Sequence, residues 1–207
     1  MKELVVYIHG AGGSAAEAGH YKELFPDREV IGFDYHSQTP WDAINEFASF
    51  FEKLMPEYGS VILIANSIGA FFALHALPSV QFGKVYFISP VVDMEELITN
   101  MMQWAGVTEK ELEEKGIIHT NSGQDLSREY LTWVRTHPIV WNHPTSILYG
   151  SHDTMQEMDT IRRFAEESGA AVTVMENGEH WFHTDEQMEF LDQWIRDTES
   201  VAVLGKE

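Results

Sequence analysis

The stretch Val61-Ile62-Leu63-Ile64-Ala65-Asn66-Ser67-Ile68-Gly69-Ala70-Phe71-Phe72-Ala73-Leu74 reads as a buried strand, a tight turn carrying a serine, and a helix. Such a turn folds back so sharply that the residues two before and two after the serine approach each other. Both must be small, and Ala65 and Gly69 are. Ser67 then stands at the sheet edge on a strained backbone with its hydroxyl presented to whatever binds above. A serine in this place also serves as a plain helix N-cap, so the rest of the chain has to decide.

Three further junctions have the same character. Leu4 to Ile8 is an apolar strand running into His9-Gly10-Ala11-Gly12-Gly13-Ser14, where glycines let backbone N–H groups turn outward. That loop is not a nucleotide cradle: Gly10, Gly12 and Gly13 do not give G-x-G-x-x-G, and no P-loop lysine follows. Thr145 to Tyr149 is followed by Gly150-Ser151-His152-Asp153, and Ala171 to Met175 by Glu176-Asn177-Gly178-Glu179-His180-Trp181-Phe182. In a parallel sheet all four junctions fall on the carboxyl edge, where open α/β sheets bind ligands.

With these residues the chain resembles the α/β-hydrolase superfamily, in which a serine elbow, an acid and a histidine follow one another in this order. His9 to Gly13 looks like the oxyanion loop, Ala65 to Gly69 like the elbow, Gly150 to Asp153 like the acid turn and Gly178 to Phe182 like the histidine loop. The resemblance covers nearly the whole chain. It departs at Ala65 and Glu179, where glycine is common; the first exchange is small for small, and the second sets an acid beside the histidine. It implies a nucleophile at Ser67, a base at His180 and an orienting acid at Asp153. The backbone N–H groups of Ala11 and Ile68 are then the oxyanion donors.

Rivals follow from position. His183 is a second histidine on the same loop, and Asp93, beyond the strand Lys84 to Ile88, offers the acid from the neighbouring strand end. His152 reads as a surface or supporting residue, Ser89 as structural because Pro90 follows it, and His9 as a buried support for its loop. Asp34, Tyr35 and His36 form a loop or pocket rim.

Apolar runs at 4–8, 30–34, 61–65, 84–88, 145–149 and 171–175 alternate with helical stretches at 14–25, 41–56, 67–77, 155–168 and 184–198. This is the pattern of an α/β fold whose mainly parallel sheet of about six strands is covered on both faces. A single domain over 1–207 is expected, a reduced α/β-hydrolase fold lacking the additional N-terminal hairpin of larger members. Residues 91–143 break the alternation and read as a helical cap, with helices at 93–104, 108–115 and 126–135. The cap's Met101, Met102, Trp104, Trp133 and Trp141 either line an acyl pocket or pack the cap on the sheet. Tyr35, Trp104 and Trp141 are taken as substrate-binding residues. The tail from Val201 to Glu207 reads as a loosely held end.

Composition bounds the function. At 44% apolar residues, a chain of this length can fill a core on both faces of a sheet. A formal charge of −20 disfavours nucleic acid and anionic membrane as partners. The absence of cysteine removes disulfides, thiolate metal sites and cysteine nucleophiles. No metal or cofactor is called for. The start has no cleavage-site pattern and no run reaches membrane-spanning length, so a cytoplasmic protein is expected. The leading reading is a carboxylesterase for a small or medium ester. The alternatives are a thioesterase or amidase, a lyase or perhydrolase on the same fold, and a non-catalytic binding protein. Oligomeric state is not legible.

Overall fold

Continuous apolar runs become parallel strands because both sides of each strand find a core. The computed structural model describes residues 2–120 and 123–204. Its elements in chain order are β1 (Glu3–Ile8), a 3₁₀ turn at Ala15–Glu17, α1 (Ala18–Tyr21), β2 (Glu29–Phe33), α2 (Pro40–Leu54), a 3₁₀ turn at Met55–Glu57, β3 (Ser60–Asn66), α3 (Ile68–Ala76) and β4 (Lys84–Ile88). There follow α4 (Met94–Ala105), α5 (Glu109–Lys115), β5 (Ile117–His119), β6 (Asp125–Ser127), α6 (Arg128–Thr136), β7 (Thr145–Gly150), α7 (Met158–Ser168), β8 (Ala171–Met175) and α8 (Asp185–Leu204).

Six strands form one sheet in the order β2-β1-β3-β4-β7-β8, every pairing parallel. Side chains alternate between two cores, as the period of two in a strand demands. Leu4, Val6 and Ile8 pack with Phe47, Phe51, Phe71, Phe72 and Phe164 beneath α2, α3 and α7. Val5 and Tyr7 pack with Tyr21, Leu191, Trp194 and Ile195 beneath α1 and α8. The chain leaves β1 for β2 on one side and returns to β3 on the other. The order therefore reverses between β1 and β3, which opens a crevice at their carboxyl ends. Ile8 stands opposite Ala65, so the His9 loop and the Ser67 turn emerge side by side.

Between β4 and β7 lie α4, α5, the antiparallel pair β5–β6 and α6. The three helices expected in this stretch form close to their expected positions, each behind a capping side chain (Asp93, Thr108, Ser127). The hairpin β5–β6 was not expected. Nor is 14–25 one helix. Ala15 lies so close to β2 that a Cβ on Gly32 would fall 1.9 Å from its carbonyl oxygen, and the segment shortens to a 3₁₀ turn and one α turn. The tail expected to be loose begins inside α8, which runs to Leu204; residues 205–207 lie outside the described residues. Among the described residues no helix is long and apolar enough to cross a membrane.

Candidate active site

Ser67 follows β3 and precedes α3 with φ 50° and ψ −119°, a conformation that a residue with a Cβ avoids. Hydrogen bonds hold it there: its N–H donates to Ile88 O at 3.1 Å, and its carbonyl accepts from Ala70 N at 3.1 Å and Val91 N at 3.2 Å. Close approach explains the small neighbours. A Cβ on Gly69 would lie 2.3 Å from His9 O, and one on Gly10 would lie 3.2 Å from Ser67 Cβ. Gly69→Ala is accordingly expected to destabilise the fold by about 3 kcal/mol, because its neighbour is backbone and cannot swing aside. A denaturant midpoint equal to that of the parent protein would contradict this.

The acid and histidine loops are fastened to each other before they meet the serine. Ser151 N donates to Met175 O at 2.9 Å, His152 N to Gly178 O at 2.8 Å, and Asn177 N to Ser151 Oγ at 2.8 Å. Gly150 admits this contact, since a Cβ there would stand 2.4 Å from Gly178 O. Asp153 is then held in a turn, its N–H on Gly150 O at 2.9 Å. Its side chain is 1% exposed. Oδ1 accepts from Met155 N at 2.8 Å, and Oδ2 lies 2.7 Å from His180 Nδ1. The other ring nitrogen, Nε2, lies 2.8 Å from Ser67 Oγ. Three side chains from separate strand ends thus form one hydrogen-bonded line.

The rivals are occupied elsewhere. Asp93 caps α4 through Glu96 N at 2.9 Å and has Arg163 at 3.5 Å. His183 bonds the Trp181 carbonyl through Nδ1 at 2.7 Å, and Glu179 approaches His183, not His180, at 3.5 Å. His152 is exposed. Ser89 is fully buried at φ 42° with an unpartnered hydroxyl, and it launches no helix.

The amides of Ala11 and Ile68 pair with no backbone or side-chain acceptor among the described residues, and Ile68 opens α3, where an N–H has no intrahelical partner. Behind them His9 is buried, with Nδ1 on Gly10 O at 2.9 Å. Tyr35 stacks on the His9 ring at 4.3 Å and donates from its hydroxyl to His9 O at 2.9 Å.

The three residues expected to bind substrate have other surroundings. Tyr35 is a buried buttress of the His9 loop. Trp141 is 4% exposed and packs on Phe82, Phe87 and His143, with its indole N–H on Thr145 Oγ1 at the start of β7. Trp104 is exposed in the last turn of α4. Aromatic type and loop position suggested a pocket, but two of the three rings are committed to packing. A residue not singled out beforehand is Gln156, 1% exposed. Its Oε1 accepts from Val92 N and Asp93 N at 2.9 and 2.7 Å, and its Nε2 donates to Asp93 O at 3.0 Å, tying the acid loop to the segment between β4 and α4. No sequence signal marks it, since the Val92 and Asp93 backbone groups it bonds lie some sixty positions away.

Several solved structures share this architecture. Est1E from Butyrivibrio proteoclasticus superposes with a TM-score of 0.77 at 14% identity, covering 98% of this chain and 89% of that one. Alpha/beta hydrolase domain-containing protein 10 from mouse gives 0.73 at 18%, covering 96% and 90%. An esterase from Pyrococcus furiosus gives 0.64 at 17%, covering 96% and 81%. No protein-family model and no curated protein matches the sequence. At such identities the likeness speaks for architecture, and together with the all-parallel sheet and the serine turn at its switch point it establishes that the chain has an α/β-hydrolase fold.

Proposed function

We propose that the protein is a serine hydrolase working through an acyl-enzyme, in its simplest form a carboxylesterase for a small or medium carboxylic ester. The observation that carries this reading is the continuous line from Asp153 Oδ2 through His180 to Ser67 Oγ, with links of 2.7 and 2.8 Å. A serine hydroxyl is a weak nucleophile at neutral pH. His180 Nε2 takes its proton as Oγ attacks the ester carbonyl. The buried Asp153 carboxylate holds the proton of the imidazole on Nδ1, leaving Nε2 free to accept, and stabilises the imidazolium that forms. The oxyanion is received by the amides of Ile68 and Ala11, one such donor being worth about 3 kcal/mol in comparable enzymes. Nε2 then returns its proton to the departing alcohol, and water releases the acyl group by the same steps reversed.

Thioesters and amides are open to the same apparatus, as is lyase or perhydrolase chemistry on a shared fold. A purely binding role is disfavoured: a carboxylate at 1% exposure and a strained serine are costly to keep. The test is reaction with a fluorophosphonate probe together with turnover of short p-nitrophenyl esters. One label per chain, absent in Ser67→Ala, and release of p-nitrophenol are expected. An unlabelled parent protein rejects the reading. Labelling without ester turnover moves it to the thioester, amide or non-hydrolytic alternatives.

A further inference from the structure

We propose that Trp181 is the recognition platform for the alcohol side of the substrate, and that this alcohol carries a positive charge, as in an amino alcohol or a quaternary ammonium alcohol. The inference rests on the serine-hydrolase reading and deepens it. Because Nε2 of His180 must hand its proton to the leaving oxygen, the alcohol departs past the histidine loop. The next residue along that loop is Trp181, 68% exposed. An indole left this open to water gains from being covered.

The ring is preorganised. His183 stacks on it with centroids 4.5 Å apart and planes 19° from parallel, and the same His183 is anchored on the Trp181 carbonyl at 2.7 Å. One face of the indole is thereby backed, and a ligand has the other. Met155, two residues beyond Asp153, is also exposed. It lies on the acid loop, which the bond from His152 N to Gly178 O fastens to the histidine loop.

Charge selects the ligand. No lysine or arginine occurs between Arg163 and Arg196, whereas Glu176, Glu179, Asp185 and Glu186 flank the histidine. Glu179, the residue before His180, is half exposed, with its carboxylate 3.5 Å from Nδ1 of His183 in the stacked pair. A neutral ring would stack on the indole but gain nothing from these acids, and an anionic alcohol would be repelled. A cation gains from both, since the π-face of tryptophan attracts it most strongly among the aromatic side chains.

The experiment uses two phosphonate thioesters identical but for the leaving thiol, one ending in trimethylammonium and the other in the isosteric tert-butyl group. In each reaction Ser67 Oγ forms a bond to phosphorus, the P–S bond breaks, and the proton taken by His180 passes to the departing sulfur. The readout is the second-order rate of the mass shift at Ser67, which does not depend on acyl preference. In the parent protein the cationic reagent is expected to react about fivefold faster. The ratio should fall to near one in Trp181→Ala and stay intermediate in Trp181→Phe. A ratio of one in the parent overturns the proposal. So does a ratio undiminished in Trp181→Ala, which would trace the preference to the field of the whole acidic molecule. The fluorophosphonate, whose leaving group is fluoride, serves as the reference: if it fails at Ser67, the hydrolase reading itself falls.

Discussion

Ser67→Gly is expected to lose covalent labelling and to reduce hydrolysis by about 10⁴- to 10⁶-fold, while melting above Ser67→Ala. Both variants lack the nucleophile and its bond to His180, so activity and that hydrogen bond cancel in the comparison. They differ in the Cβ. At φ 50° and ψ −119° a Cβ costs about 1–3 kcal/mol, which glycine does not incur. Against this stands the greater freedom of glycine in the unfolded chain, up to about 1 kcal/mol. The net advantage of about 1 kcal/mol corresponds to roughly 2–4 °C in a chain of this size. Calorimetry on the two variants and on the parent decides it. A glycine variant that melts below the alanine variant means that the backbone at 67 is not strained, and a glycine variant that still hydrolyses ester means that the nucleophile lies elsewhere.

The strain also explains what could be read in advance. Strands of a parallel sheet buried on both faces are unbroken apolar runs, so Leu4 to Ile8 and Val61 to Ala65 announce themselves. The four site junctions follow directly, since each is the first few residues past such a run. Gly69 and Gly150 mark places where another stretch of backbone passes close, since an added Cβ would stand 2.3 Å from His9 O at the first and 2.4 Å from Gly178 O at the second. Aromatic residues carry no comparable signal. Tyr35 and Trp141 have the chemistry of pocket walls and of cores alike, and only the fold decides that one braces His9 and the other packs against Phe82 and Phe87. The hairpin β5–β6 is short, three residues on each side, and Ile117–His119 is too brief for alternation to show. Gln156 and the break in the expected helix at 14–25 are tertiary effects, set by Val92, Asp93 and Gly32, which are distant in sequence.

The choice between the two candidate acids yields the second large effect. Asp153→Asn should lower kcat by about 10⁴-fold while leaving the fold intact. The oxygen of an asparagine can keep the bond from Met155 N, which turns its NH₂ group toward His180 Nδ1. Two donors cannot share that 2.7 Å contact. The imidazole responds by moving its proton to Nε2, the nitrogen 2.8 Å from Ser67 Oγ, and so loses the ability to accept the serine proton. Asp93→Asn is the matched control. Its oxygen accepts from Glu96 N as a helix cap, a task asparagine performs as well as aspartate, and activity should stay within a few-fold of the parent. Measured side by side, the pair separates an acid that sets a tautomer from one that ends a helix. A mild Asp153→Asn beside a crippled Asp93→Asn would transfer the acid to the β4 strand end, and with it the line of hydrogen bonds on which the serine depends.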